Sequence, residues 1–126
     1  MLKNSKAFSG FSVSDTEKAG WFYKDILGLN VQQGMEGILE IHINGSTPVI
    51  AYPKEGHVPA TFTVLNFPVP DIEKAVAELK QRGVTFESYN SRELTTDPDN
   101  IFRGGGPHIA WFKDPSDNIF SIIQEE

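Results

Sequence analysis

The sequence predicts an α+β domain made of two β-α-β-β-β modules, forming a curved mixed sheet with helices on the outer face and a concave cleft. Three observations carry this. Shifting the chain by 56 positions lays Phe11, Val13, Asp15, Glu17, Lys18, Ala19 and Lys24 on Phe67, Val69, Asp71, Glu73, Lys74, Ala75 and Lys80, so one supersecondary unit is used twice. Each copy opens on an alternating stretch and passes into apolar residues at helical spacing, a strand followed by a helix. Short strand-like runs then fill each copy between turn residues. The modules are expected over about 7–53 and 60–125 of a single domain, 1–126.

In the first copy, residues 7–14 read as a strand. Ser14 and Glu17 stand at capping-box spacing, which opens a helix. Ala19, Phe22, Tyr23, Ile26 and Leu27 form its apolar stripe, and Gly28 ends it. Residues 29–33, 37–43 and 47–52 read as strands, the last two joined by the Asn44-Gly45 hairpin signal. In the second copy, residues 60–69 read as a strand. Asp71 caps a helix with the stripe Ile72, Ala75, Val76 and Leu79, and Gly83 closes it. Strands are expected at 84–89, 108–113 and 119–124, interrupted by a long polar loop, 90–106. Side chains alternate along a strand. Ser9, Phe11 and Val13, with Leu65, Phe67 and Val69, therefore face the helices; Phe8, Gly10 and Ser12, with Val64, Asn66 and Pro68, face the cleft. Phe62 is expected on the face of Val64, and Trp111 on that of Ile119, Ser121 and Ile123.

Hydrophobic residues at 39% and aromatics at 11% fit a folded core. The net charge of −6 and scattered basic residues disfavour a nucleic-acid partner. No run approaches the ~18 apolar residues of a membrane span, so no membrane role is expected. The chain contains no cysteine, which removes thiolate ligands and points to a reducing, cytoplasmic setting. No signal peptide is read at the N-terminus.

Val13-Ser14-Asp15, Phe22-Tyr23, Leu27-Gly28-Leu29 and the turn Phe112-Lys113-Asp114-Pro115-Ser116-Asp117-Asn118, taken with the repeat, resemble the glyoxalase / bleomycin-resistance / extradiol-dioxygenase superfamily, the vicinal oxygen chelate fold. The resemblance spans nearly the whole chain. One departure is Asp117, where the family usually has Gly; Asp tolerates a left-handed turn position, so the hairpin should survive. The superfamily holds isomerases, thiol transferases, dioxygenases and metal-free antibiotic-sequestering proteins, so the fold alone assigns no activity.

Metal-bearing members, by this resemblance, place a His seven residues before each strand-ending Asp and a Glu on the last strand of each copy. Those positions are Phe8, Val64, Ser121 and a residue near Ala51. Hydrocarbon and a neutral serine hold no divalent cation, so no metal and no cofactor are expected. The resemblance thus implies a metal-independent, ligand-sequestering protein that binds an apolar or aromatic small molecule, with single-domain relatives commonly homodimeric. Phe8, Phe62, Val64, Asn66, Trp111 and Ser121 are the candidate ligand-binding residues, with Arg103 meeting an anionic ligand from a lid formed by the polar loop. No catalytic residue is assigned. The alternative is a lyase, isomerase or dioxygenase of the same superfamily with relocated groups, Glu40 and His42, two apart on one strand, being the candidates. A third reading is a structural dimer with a collapsed cleft. His57 and His108 read as surface residues, and nothing suggests a serine paired with a histidine. Gly104-Gly105-Gly106 lacks the Lys-Ser/Thr of a phosphate loop and reads as a flexible stretch. Asp97-Pro98-Asp99-Asn100 lacks the spacing of a calcium loop, and Asn44-Gly45-Ser46 reads as a turn in place of a glycosylation site.

Overall fold

The alternating and helical stretches fold into two compact units, one of residues Met1–Pro59 and one beginning at Ala60. The computed structural model describes residues 1–125.

The first unit is a four-stranded sheet under one helix. Its strands are β1 (Gly10–Val13), β2 (Asn30–Gln33), β3 (Leu39–His42) and β4 (Val49–Pro53), in the order β1-β4-β3-β2. β1 runs parallel to β4; the other pairs are antiparallel. The cap of α1 (Thr16–Trp21) is Asp15, one residue later than the Ser14 spacing suggests. Its carboxylate accepts from Glu17 N at 3.0 Å and Lys18 N at 3.1 Å. A carboxylate satisfies these amides and meets the positive end of the helix, which a hydroxyl cannot do as well. After Trp21 the helix widens into a π turn, Phe22–Ile26, which buries Phe22 and Tyr23 side by side. Leu29 N then reaches Tyr23 O at 2.9 Å across Gly28, whose φ of +73° only a residue without Cβ adopts freely. β3 starts at Leu39, two residues after the expected point, because Met35–Gly37 is a turn with Glu36 and Gly37 both left-handed. The core is Phe11, Val13, Leu39, Ile41, Val49 and Ala51 from the sheet with Ala19, Phe22 and Tyr23.

The second unit repeats the plan with β5 (Thr63–Val69), α2 (Ile72–Gln81), β6 (Ile109–Lys113) and β7 (Ile119–Gln124), in the order β5-β7-β6. β5 is parallel to β7, and β6 antiparallel to it. Asp71 caps α2 by accepting from Lys74 N at 3.2 Å. The helix packs on β6 and β7 over Phe112, Phe120 and Ile122. The expected strand at 84–89 does not form: Phe86 makes one isolated bridge to Phe112, and Glu87 N bonds Trp111 O at 2.8 Å. Polar groups from the following loop take the backbone instead. Tyr89 N donates to Thr96 Oγ1 and Thr96 N to Tyr89 O, both at 3.0 Å, while Asn100 Nδ2 donates to Ser88 Oγ at 2.8 Å. Residues 90–106 are accordingly a folded segment, with bridges Thr96–Phe102 and Phe102–Ile109 and a fully buried Ile101, in place of the loose lid expected. Gly104 has a steric reason: a Cβ there would lie 2.6 Å from the Phe102 ring. Among the described residues, no helix is long and apolar enough to cross a membrane.

Candidate functional site

In each unit the helix covers one face of the sheet and the register defines the other. In the first unit that open face carries Gly10, Ser12, Ile50, Tyr52, Glu40 and His42. Beside it lies a depression of about 330 Å³ lined by Lys6, Phe8, Glu40, Thr47, Pro48 and Ile50. Phe8 is 68% exposed there, ahead of the first strand residue. Glu40 Oε1 lies 3.1 Å from His42 Nε2. His57 is half-buried, a correction to its expected exposure, and its Nδ1 lies 2.7 Å from Ser12 Oγ. Their separation of 45 positions along the chain hid that contact from the sequence.

In the second unit the open face carries Asn66, Pro68, Ile119, Ser121, Ile123, Ile109, Trp111 and Lys113. Three of the candidate residues meet here. Ser121, fully buried, donates its hydroxyl to Asn66 Oδ1 at 2.5 Å, and Trp111 stands opposite Ser121 across the β6–β7 pair. Two aromatic rings pack against the indole: Tyr89 edge-on at 5.4 Å between centroids, Phe102 tilted at 6.3 Å. Burial first, and then the nearby Glu87 carboxylate, push the Tyr89 phenol up from its ordinary value, against the opposing Lys113 charge. Lys113 pairs with Glu87 at 3.5 Å.

Phe62 and Val64 do not share a face by simple alternation. The register slips between Thr63 and Leu65, so Val64 is an extra residue in the ladder and Phe62 lies 67% exposed before the strand begins. Arg103 does not join the aromatic group. Its Nε donates to Asp97 Oδ2 at 2.7 Å and its Nη2 to Glu73 Oε1 at 2.9 Å, with His108 Nδ1 3.4 Å from Nη1. Asp97 would be raised by its partial burial. The Arg103 bond and the amides of Ile101 and Asp99 outweigh that and hold its carboxyl below the usual range.

The chemistry of the donor set answers whether a divalent cation fits. Phe8, Val64 and Ser121 stand as named above. The fourth position resolves to Ile50: Gly10 pairs with Ile50 as Asn66 pairs with Ser121, whereas Ala51 points into the core. Three hydrocarbons and one hydroxyl do not fit the superfamily's metal. Among the described residues, no three His, Asp or Glu side chains converge elsewhere. Ile50 and Tyr52 went unnoticed in the sequence, although the Asn44-Gly45 turn and strand alternation together place them.

The folds of solved structures agree with this plan. An antibiotic-binding protein, TnmS3, from a Streptomyces species superposes with a TM-score of 0.70 at 22% identity, over 100% of this chain and 99% of that one. A glyoxalase/bleomycin resistance protein/dioxygenase superfamily member from Sphaerobacter thermophilus gives 0.70 at 24%, over 99% and 100%. The fosfomycin resistance protein FosX from Listeria monocytogenes gives 0.69 at 14%, over 98% and 94%. No curated protein matches the chain in sequence. The family model described as Glyoxalase/Bleomycin resistance protein/Dioxygenase superfamily matches residues 8–122, and with the repeated module, the Asp-Pro turn and the shared fold, the chain belongs to that superfamily.

Proposed function

We propose that the protein binds a small apolar or aromatic molecule without a metal and holds it unchanged. The observation that carries this reading is the replacement of four cation-ligand positions by Phe8, Ile50, Val64 and Ser121. Imidazole and carboxylate would polarise a substrate through a cation; hydrocarbon in their place offers packing area. Phe8 packs a ligand in the first unit's depression. Trp111 supplies a ring surface in the second, with Asn66, held by its bond from the buried Ser121, orienting the ligand and Phe62 and Val64 adding apolar surface. Arg103 serves as a positioning residue, since its two carboxylate partners tie down the segment that brings Phe102 to Trp111. Fold likeness to an antibiotic-binding protein and to a fosfomycin resistance protein supports an antibiotic-like ligand. The exposed Phe8 and Phe62 support a homodimer, and the lack of cysteine suits the cytoplasm.

A second reading rests on the Glu40–His42 contact beside Phe8, where an acid–base or metal-assisted lyase or isomerase would place its proton carriers. One experiment separates the two. The protein is purified without chelator for elemental analysis, then screened by thermal shift against aromatic and antibiotic-like compounds, with each hit recovered for mass spectrometry. Binding without metal predicts substoichiometric Zn, Ni, Mn and Fe, a raised melting temperature for hits, and ligand of unchanged mass. One transition-metal ion per chain, or a converted ligand, overturns the proposal in favour of the enzyme.

A further inference from the structure

The Ser121–Asn66 bond fixes more than a buried hydroxyl. Ser121 is fully buried, and its single O–H needs an acceptor. It donates to Asn66 Oδ1 at 2.5 Å, the short end of the O–H···O range. The carbonyl end of the Asn66 amide is therefore committed inward, and the NH2 end is presented at the exposed side of the residue. Across Ser121 stands Trp111, whose indole N–H can only donate; the Tyr89 ring lies edge-on to the indole at 5.4 Å, and its phenol both donates and accepts. The carboxylate nearby, Glu87, is taken by Lys113 at 3.5 Å. The face combines flat aromatic surface with hydrogen-bond donors.

Resting on the small-molecule reading above, we infer that the open face of the second unit selects flat aromatic ligands bearing a carbonyl-type oxygen, which accepts from the Asn66 NH2 while the ring packs on Trp111. A donor group at the same place on the ligand would face the Asn66 NH2 and lose its partner, which is what makes the site selective.

Three probes on one ring system test this: 9-fluorenone, with an in-plane carbonyl, fluorene, with neither group, and 9-aminofluorene, whose donor is an ammonium at neutral pH. The background is Trp21→Phe, a substitution on α1 in the first unit, which leaves Trp111 as the sole tryptophan of the two in the chain. Quenching of Trp111 is expected to give an affinity for fluorenone about fivefold to tenfold above that for fluorene, with aminofluorene no better than fluorene. Asn66→Asp still accepts from Ser121 but presents oxygen in place of NH2, and is expected to reverse the order in favour of aminofluorene. Ser121→Ala frees the amide to turn and is expected to erase the preference while keeping ring binding. Equal affinities for fluorenone and fluorene, or an unchanged order in Asn66→Asp, overturn the inference and leave small-molecule binding standing. Failure of all three probes also overturns the inference, and the thermal-shift screen then decides separately whether any small molecule binds.

Discussion

At the scale of single residues, the polar side chains that matter are those whose partners leave no choice of conformation. Asp114 is the clearest. It is buried in the β6–β7 turn, where Oδ1 accepts from Ser116 N at 2.9 Å and Asn118 N at 2.8 Å, and Oδ2 from Asn118 Nδ2 at 3.1 Å. A buried carboxylate is tolerated because amides surround it, and those amides in turn have no water to fall back on. Asp114→Ala should therefore cost about 2–4 kcal/mol in urea unfolding, while Asp114→Asn, which keeps one acceptor oxygen, should cost less. The same turn holds Asp117 at φ +65°, the left-handed position read from the sequence, so the departure from glycine is accommodated. Local chemistry of this kind was legible because donor and acceptor lie within a few residues. Ser12 and His57, or Ser121 and Asn66, were not, because the partners lie 45 and 55 positions apart. Strand alternation named the face of Asn66 but not the bond that orients its amide.

At the scale of elements, repeat and period carried most of the fold. They located both helices and seven strands. They failed at 84–89, where the pattern is strand-like but the loop's own hydroxyls and amides outcompete a ladder for the backbone. They failed again at 90–106, whose polar composition reads as mobile while Ile101 sits in the core. The clasp on this segment is electrostatic, Arg103 against Asp97 and Glu73. Asp97 titrates lower in the folded chain than in the unfolded one, so its contribution is complete above the ordinary aspartate value of about 3.9 and disappears as pH falls through the depressed folded value. The protection factors of the Ile101 and Phe102 amides, exchange rates corrected for intrinsic pH dependence, should thus hold from pH 7 to about 4 and fall only below it. Arg103→Ala should speed the same amides at pH 7, and more so at low salt where the ion pairs are least screened. Uniform protection down to pH 2 in the wild-type protein would remove the clasp from the account.

At the scale of the molecule, two copies of one module present different open faces, and the differences follow the repeat. Phe8 answers to Val64, Gly10 to Asn66 and Ile50 to Ser121, so the first unit is apolar where the second is hydrogen-bonded. That asymmetry was only half visible in the sequence: the 56-residue shift gave the first two pairs, while the third needed the registers of β1 on β4 and of β5 on β7. Each unit also ends its sheet on its leading strand, β1 or β5, and precedes that strand with an exposed phenylalanine. Burying such a ring is worth about 1.5–3 kcal/mol. That gain is realised for both rings if a second copy covers them. Light scattering should then report twice the 14.0 kDa chain mass at micromolar concentration. Phe62→Glu, which places a charge where that surface must lose water, should shift the mass to one chain with far-UV circular dichroism unchanged, because a residue 67% exposed contributes little to its own unit's core. A wild-type protein that runs as a single chain at all concentrations would leave Phe8 and Phe62 to the ligand alone, and the homodimer would have to be abandoned while the binding faces within each unit remained.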